Sequence, residues 1–245
     1  MTAPVGVRTA PSWLPAVSVT PVLRWLALRH SVVSGAAWRR ACAACGAAFS
    51  VGGRAALPGA RCGCGVRVGP PPFTVEGLAL GAVLVGLFAV PAQVVAAYAW
   101  WAAFAVPLVL VDLAVHRLPD RLTLPAAGGV VLLSGAAAFV AGGPWWRPTA
   151  AGVLVAAFFA ATTFVLGRRG FGLGDAKLAL SCAALLGWFG WGAVLLGLLA
   201  GLLASALVSI GLLAAGRVRW SSHLPFGPFL VTGTVLALIL VGPQS

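Results

Sequence analysis

Apolar stretches close to the length of a membrane-crossing helix follow one another through the C-terminal two thirds of the chain. They run over residues 74–91, 94–114, 123–142, 149–166, 176–188, 191–215 and 225–242. A helix needs roughly 20 apolar residues to cross a bilayer. The pattern therefore predicts an all-α fold, a polytopic transmembrane helical bundle of about seven spans. Only 8% of the 245 residues are charged and 61% are hydrophobic, too little polar cover for a water-soluble core of this size.

The net charge of +12 would suit a nucleic-acid binder, but the placement of the charges excludes that reading. Loops between spans alternate. One set carries Arg117 and Arg121, then Arg168, Arg169 and Lys177, then Arg217 and Arg219; the other carries Arg147 alone. The N-terminal region adds Arg8, Arg24, Arg29, Arg39, Arg40, Arg54, Arg61 and Arg67. With that region inside, 15 of the 16 basic residues share one side, as the positive-inside rule requires. Topology and anionic lipid account for the charge. The expected placement is multi-pass in a bacterial cytoplasmic (inner) membrane, N-terminus cytoplasmic.

Three regions are expected. Residues 1–34 hold "SWLPAVSVTPVLRWLALRHSVV", apolar but broken by Pro15, Pro21, Arg24 and Arg29, and read as an irregular or interfacial amphipathic segment rather than a span. No cleavable signal peptide is expected there. Residues 35–71 form a cytosolic cysteine-rich, zinc-knuckle-like region, and residues 72–245 the transmembrane domain. In the middle region Cys42-x2-Cys45 is followed by Cys62-x-Cys64. Two close thiolate pairs can complete a tetrahedron around Zn²⁺, and a reducing compartment favours metal over disulfides. Reduced, metal-free cysteines are the alternative, since the second pair is shortened. Cys182, alone in an apolar run, reads as packing.

The chain has four acidic residues: Glu76, Asp112, Asp120 and Asp175. Glu76 reads as a cap or interfacial anchor, Asp120 as structural after Pro119. Asp175, ahead of an apolar helix, would serve as an N-cap. Asp112 has no such excuse. It falls in the last turns of a span, at the negative end of the helix dipole, among apolar neighbours. An embedded carboxylate without a capping role points to function; a local pair with His116 is the structural alternative. Two spans after Asp112 the chain returns to the same side at Asp175. Two carboxylates meeting in a poorly hydrated site cannot both ionise easily, which leaves an acid beside a base. The glycines Gly170, Gly172 and Gly174 would leave backbone open to an extended peptide, or simply make a tight loop. Lys177 reads as a snorkelling anchor, with a leader-binding or lipid-phosphate role as the alternative. Trp100, Trp101, Trp145, Trp146, Trp188 and Trp191 read as an outer aromatic belt. His223 reads as an interfacial residue.

These motifs resemble those of the type IV prepilin peptidases, a family of intramembrane aspartic proteases. "GFGLGDAKL" is similar to their GxGD motif, "DLAVHRLPDRLTLP" to their other aspartate motif, and "HLPFGPFL" to their PFGP segment. The cysteine pairs followed by "GPPPFTVEGL" resemble their zinc-binding stretch and the approach to the next span. The likeness covers residues 35–242 in order. It implies that Asp112 and Asp175 are a catalytic pair and that Gly172, Gly174, Asp120, Lys177, Pro225 and Gly227 contact substrate or support the pair. It implies cleavage after a glycine in the basic leader of prepilin-like proteins, at the cytoplasmic membrane face. Many members also methylate the new N-terminus with S-adenosylmethionine; here that activity stays open. A transporter using embedded acids, or a non-catalytic assembly scaffold, are the alternatives. The expected partners are prepilin-like substrates and membrane lipid.

Overall fold

The computed structural model describes residues 14–33, 36–49, 56–167, 171–217 and 224–242. Arg8, Arg54, Arg168, Arg169, Gly170, Arg219 and His223 lie outside the described residues. Eight helices are described: α1 Leu14–His30, α2 Thr74–Ala89, α3 Val95–Val115, α4 Asp120–Val140, α5 Trp146–Leu166, α6 Leu173–Phe189, α7 Trp191–Ala214 and α8 Gly227–Val241. Seven of them fall on the seven apolar stretches. Four, α3, α4, α5 and α7, are long and apolar enough to cross a membrane, and α2 and α8 are shorter apolar helices. The chain is an all-helical membrane protein.

α6 is the hub. It packs against α3, α4, α5, α7 and α8. Its side chains Ala176, Leu178, Ala179, Ser181, Cys182, Ala183, Ala184, Leu185 and Leu186 are all buried. A helix apolar on every side belongs inside, and small side chains let its neighbours come close. Cys182, 2% exposed, is a packing residue as expected.

Close helix contacts recur at glycines. A Cβ on Gly187 would lie 2.9 Å from both Ala151 Cβ and Pro148 Cα, which sets the α5–α6 contact. A Cβ on Gly233 of α8 would lie 2.2 Å from the Gly197 carbonyl oxygen and 2.6 Å from the Gly201 nitrogen of α7. Those are backbone atoms and cannot turn aside. Gly233→Ala is therefore expected to destabilise the bundle by about 1–3 kcal/mol, read as a lower unfolding temperature in detergent. Gly211→Ala, with nothing within 4 Å, is the matched control and should leave that temperature unchanged.

The segment around Arg24 is helical and packs on α2 and α3. Arg24 is fully buried because its charge is absorbed locally. Its Nη2 pairs with Glu76 Oε2 at 2.7 Å, and its Nη1 donates to the carbonyls of Pro70 and Pro71 at 2.8 and 3.3 Å. Glu76 is thus a counterion. Trp101 does not belong to an aromatic belt: it is 2% exposed and packs beside Tyr98, whereas Trp100 is 40% exposed. Successive helical residues point about 100° apart, so here Trp100 turns outward while Trp101 turns into the bundle.

Candidate active site

Asp112 sits in the last turn of α3 and is buried. The helix ends at His116, which adopts a left-handed conformation and places its N–H on the Asp112 carbonyl at 2.8 Å. The negative end of α3 alone would disfavour a carboxylate there. The start of α8 answers it. Gly227 opens that helix, and its N–H, one of the first-turn donors with no partner inside the helix, donates to Asp112 Oδ2 at 2.9 Å. His116 makes no ion pair with Asp112 among the described residues. A Cβ at position 227 would stand 2.7 Å from Asp112 Oδ2 and 3.4 Å from Leu178 Cδ2 of α6. Only glycine fits where α3, α6 and α8 converge.

Asp175 lies in the first turn of α6, three residues inside rather than at the N-cap. Its Oδ2 accepts the N–H of Gly172 at 3.0 Å. It is half-buried. The end of α3 that carries Asp112 packs with the start of α8 on α6, so the two acids singled out in the sequence lie at the same end of the bundle. Two glycines of the motif have internal tasks. Gly172 gives its N–H to Asp175, and Gly174 admits Leu118, whose Cβ would be 3.0 Å from a Cβ at 174. Through that contact the "RLPD" segment packs directly on "GLGD". Pro225 is half-buried in the approach to α8.

An aromatic trio stands behind this arrangement. Phe159 of α5, Phe171 and Phe226 stack mutually, with ring centroids 4.6, 5.7 and 4.7 Å apart. Phe171 precedes Gly172 and Phe226 precedes Gly227, so the trio joins the two backbone turns that hold the two carboxylates. The Thr163 hydroxyl of α5 donates to the Phe171 carbonyl. Sequence reasoning reached Phe226 through the "HLPFGPFL" segment but missed Phe159 and Phe171; the available signal was a phenylalanine directly before Gly172, as before Gly227.

Lys177 has a partner within the bundle. Its Nζ pairs with Asp120 Oδ1 at 2.5 Å, joining the first turns of α6 and α4. The pair is largely exposed, and exposed pairs add little stability; its effect is to fix where two helix ends lie.

The cysteines form a second centre. Two short hairpins, closed by bridges Ala41–Ala48 and Arg61–Arg67, bring the Sγ atoms of Cys42, Cys45, Cys62 and Cys64 within 4.8 Å of one another. Cys42–Cys64 and Cys45–Cys62 are 3.8 and 3.3 Å apart. Four thiolates about 2.3 Å from a tetrahedral metal stand about 3.8 Å apart, so the set fits a metal ion despite the shortened second pair. The N–H groups of Ala44 and Cys45 point at the Cys42 sulfur and pull its thiol down to about 6. Cys45 takes the Ala47 N–H, which favours its thiolate, but the crowding sulfurs of Cys62, Cys64 and Cys42 outweigh it and push the thiol up to about 12.

Residues 96–214, which contain both aspartates and the Asp120–Lys177 pair, match the type IV leader peptidase family. These helices belong to that family. The prepilin leader peptidase/N-methyltransferase of Aeromonas hydrophila is 35% identical over 135 residues, covering 55% of this chain and 46% of that protein. The protein of the same name from Burkholderia pseudomallei strain K96243 is 32% identical over 166 residues, covering 67% of this chain and 52% of that protein. The chain thus spans about half the length of these curated relatives. No solved structure matches it. The leader-peptidase match contains Asp112, Asp175, Gly172 and Gly174, while Pro225 and Gly227 lie beyond its end.

Proposed function

We propose that this protein is an intramembrane aspartic endopeptidase that removes the basic leader of prepilin-like proteins at the cytoplasmic face of the bacterial inner membrane. What supports this reading is the placement of Asp112 and Asp175 at the same end of the bundle, beside the Asp120–Lys177 pair that joins the first turns of α4 and α6. The match to leader peptidases supplies the substrate class.

The chemistry follows from two carboxylates sharing one proton. The ionised carboxylate takes a proton from water, and the resulting hydroxide attacks the scissile carbonyl carbon. A C–O bond forms and the carbonyl oxygen takes up negative charge. The protonated carboxyl then gives its proton to the amide nitrogen, and the C–N bond breaks. General acid–base assistance of this kind is worth roughly 10²–10⁴-fold for each group. Gly227 and Gly172 each hold one oxygen of the pair, which leaves the other oxygens free to face substrate. Expressed with a prepilin-like protein that ends its leader in glycine, the chain is expected to shorten that protein by the leader. A substrate that keeps its leader beside the active wild-type chain would count against the reading.

The four cysteines are proposed to hold one structural Zn²⁺ per chain, which would pin the two hairpins together. Cys64→Ser is expected to lower zinc content from one per chain towards zero. Binding requires thiolates, so zinc should be retained at pH 7–8 and released progressively on acidification, as protons compete with the metal for the four sulfurs. A chromogenic chelator added during acidification measures the release.

N-methylation of the new N-terminus with S-adenosylmethionine is a second reading. The names of the relatives and the metal-ready cysteine set favour it. It is tested by whether the cleaved product gains the mass of one methyl group when S-adenosylmethionine is supplied.

A further inference from the structure

One contact between the cysteine module and the helical bundle is built around a single ring. Trp38 leaves α1 behind and leads into the first cysteine hairpin four residues before Cys42. The Arg29 guanidinium at the end of α1 sits 4.8 Å from its ring centre, and that of Arg121, in the first turn of α4, sits 4.0 Å from it. The ring of His30 packs 5.1 Å away. The strand that carries Trp38 is fixed by the Arg39 N–H, which donates to the Arg29 carbonyl at 3.1 Å. Nearby, Arg117 donates to the Val33 carbonyl at 3.2 Å.

The other end of the module is tied elsewhere. Ala60 and Val68 pack on Leu28, and Pro70 and Pro71 accept from Arg24. Those contacts reach α1 and, through the Arg24–Glu76 pair, α2. The Trp38 and Arg117 contacts reach the α3–α4 connection and the first turn of α4. Arg121 is the neighbour of Asp120, Asp120 pairs with Lys177, and Lys177 is two residues from Asp175. Leu118, in the same connection, packs on Gly174.

We propose that Trp38 is a positioning residue that couples the cysteine module to the candidate active site: metal held by the four sulfurs fixes the hairpin that carries Trp38, and Trp38 fixes Arg121 and the α4 end that faces Asp175. The inference rests on the peptidase reading for its activity arm and on the four-sulfur metal site for its input. A guanidinium over a tryptophan face is attracted by the ring's negative face, which ties the end of α1 and the first turn of α4 to one side chain.

The test uses the full chain in detergent or nanodiscs, with and without zinc, in the wild type, Trp38→Ala and Trp38→Phe. Three quantities are read: zinc content, hydrogen exchange of residues 116–123, and removal of a prepilin leader. Stripping zinc from the wild type is expected to raise exchange over 116–123 and to slow cleavage about 5-fold or more. Trp38→Ala should keep one zinc per chain yet show the raised exchange and the slowed cleavage already, with no further change on stripping. Trp38→Phe, which keeps a ring for both guanidiniums, should recover most of both.

Zinc-loaded Trp38→Ala that exchanges and cleaves like the wild type would overturn the proposal. So would a stripping effect on Trp38→Ala as large as that on the wild type. If the wild-type chain cleaves no prepilin-like substrate, the peptidase reading fails, and the exchange measurement still decides the coupling.

Discussion

Asp112→Asn and Asp175→Asn are each expected to reduce leader removal by about 10³-fold or more, with the bundle intact. An amide neither accepts a proton from water nor passes one to a leaving amine, so either change removes one half of the acid–base pair. Asparagine keeps the shape of aspartate, and its carbonyl oxygen can still accept the Gly227 or Gly172 N–H that now holds each carboxylate. Loss of rate should therefore come without loss of expression or of zinc. The check is the initial rate of leader removal by purified protein at matched amounts, alongside the unfolding temperature. A variant that cuts at the normal rate returns its aspartate to a capping or packing role.

Gly227→Ala is expected to cost about 10²-fold in cleavage with a smaller effect on folding. The added methyl carbon would fall 2.7 Å from Asp112 Oδ2, well inside contact, and 3.4 Å from Leu178 Cδ2. To make room, Asp112 must rotate or the first turn of α8 must retreat. Either movement breaks the 2.9 Å hydrogen bond that aims the carboxylate. A displacement of about 1 Å in a catalytic group commonly costs that much. The measurement is kcat and KM for a leader-bearing peptide. The expected loss lies in kcat, because the methyl group disturbs the reacting carboxylate rather than the surface that binds the leader. An unchanged kcat would mean that Gly227 does not position Asp112 during the reaction.

The helices were legible because burial in a bilayer is written directly into hydropathy, with no partner needed to interpret it. Asp112 was legible for a related reason: an acid at the wrong end of an apolar helix has no local justification. Gly227 was marked by its motif, but its task was hidden: it donates to a carboxylate 115 residues earlier in the chain, and no local pattern announces that partner. Arg24 read as a break in a helix because its counterion, Glu76, lies 52 residues away. Asp175 read as an N-cap because the turn that precedes it, with Gly172 extended, could not be placed from composition. The Phe159–Phe171–Phe226 trio was invisible in a chain where aromatic residues are ordinary packing. Asp120 and Lys177 were each assigned separate tasks, since a pair between two helix ends requires knowing that α4 and α6 are neighbours.

The claim that Asp112 and Asp175 form one catalytic unit is tested most directly by the double variant. The rate of leader removal is measured for the wild type, Asp112→Asn, Asp175→Asn and the two changes together, with purified protein and one prepilin-like substrate. Groups that act as a unit lose their function once, so the double variant should be no slower than either single variant. Losses that multiply in the double variant would mean that the two carboxylates act independently, and the account of a shared site would be wrong.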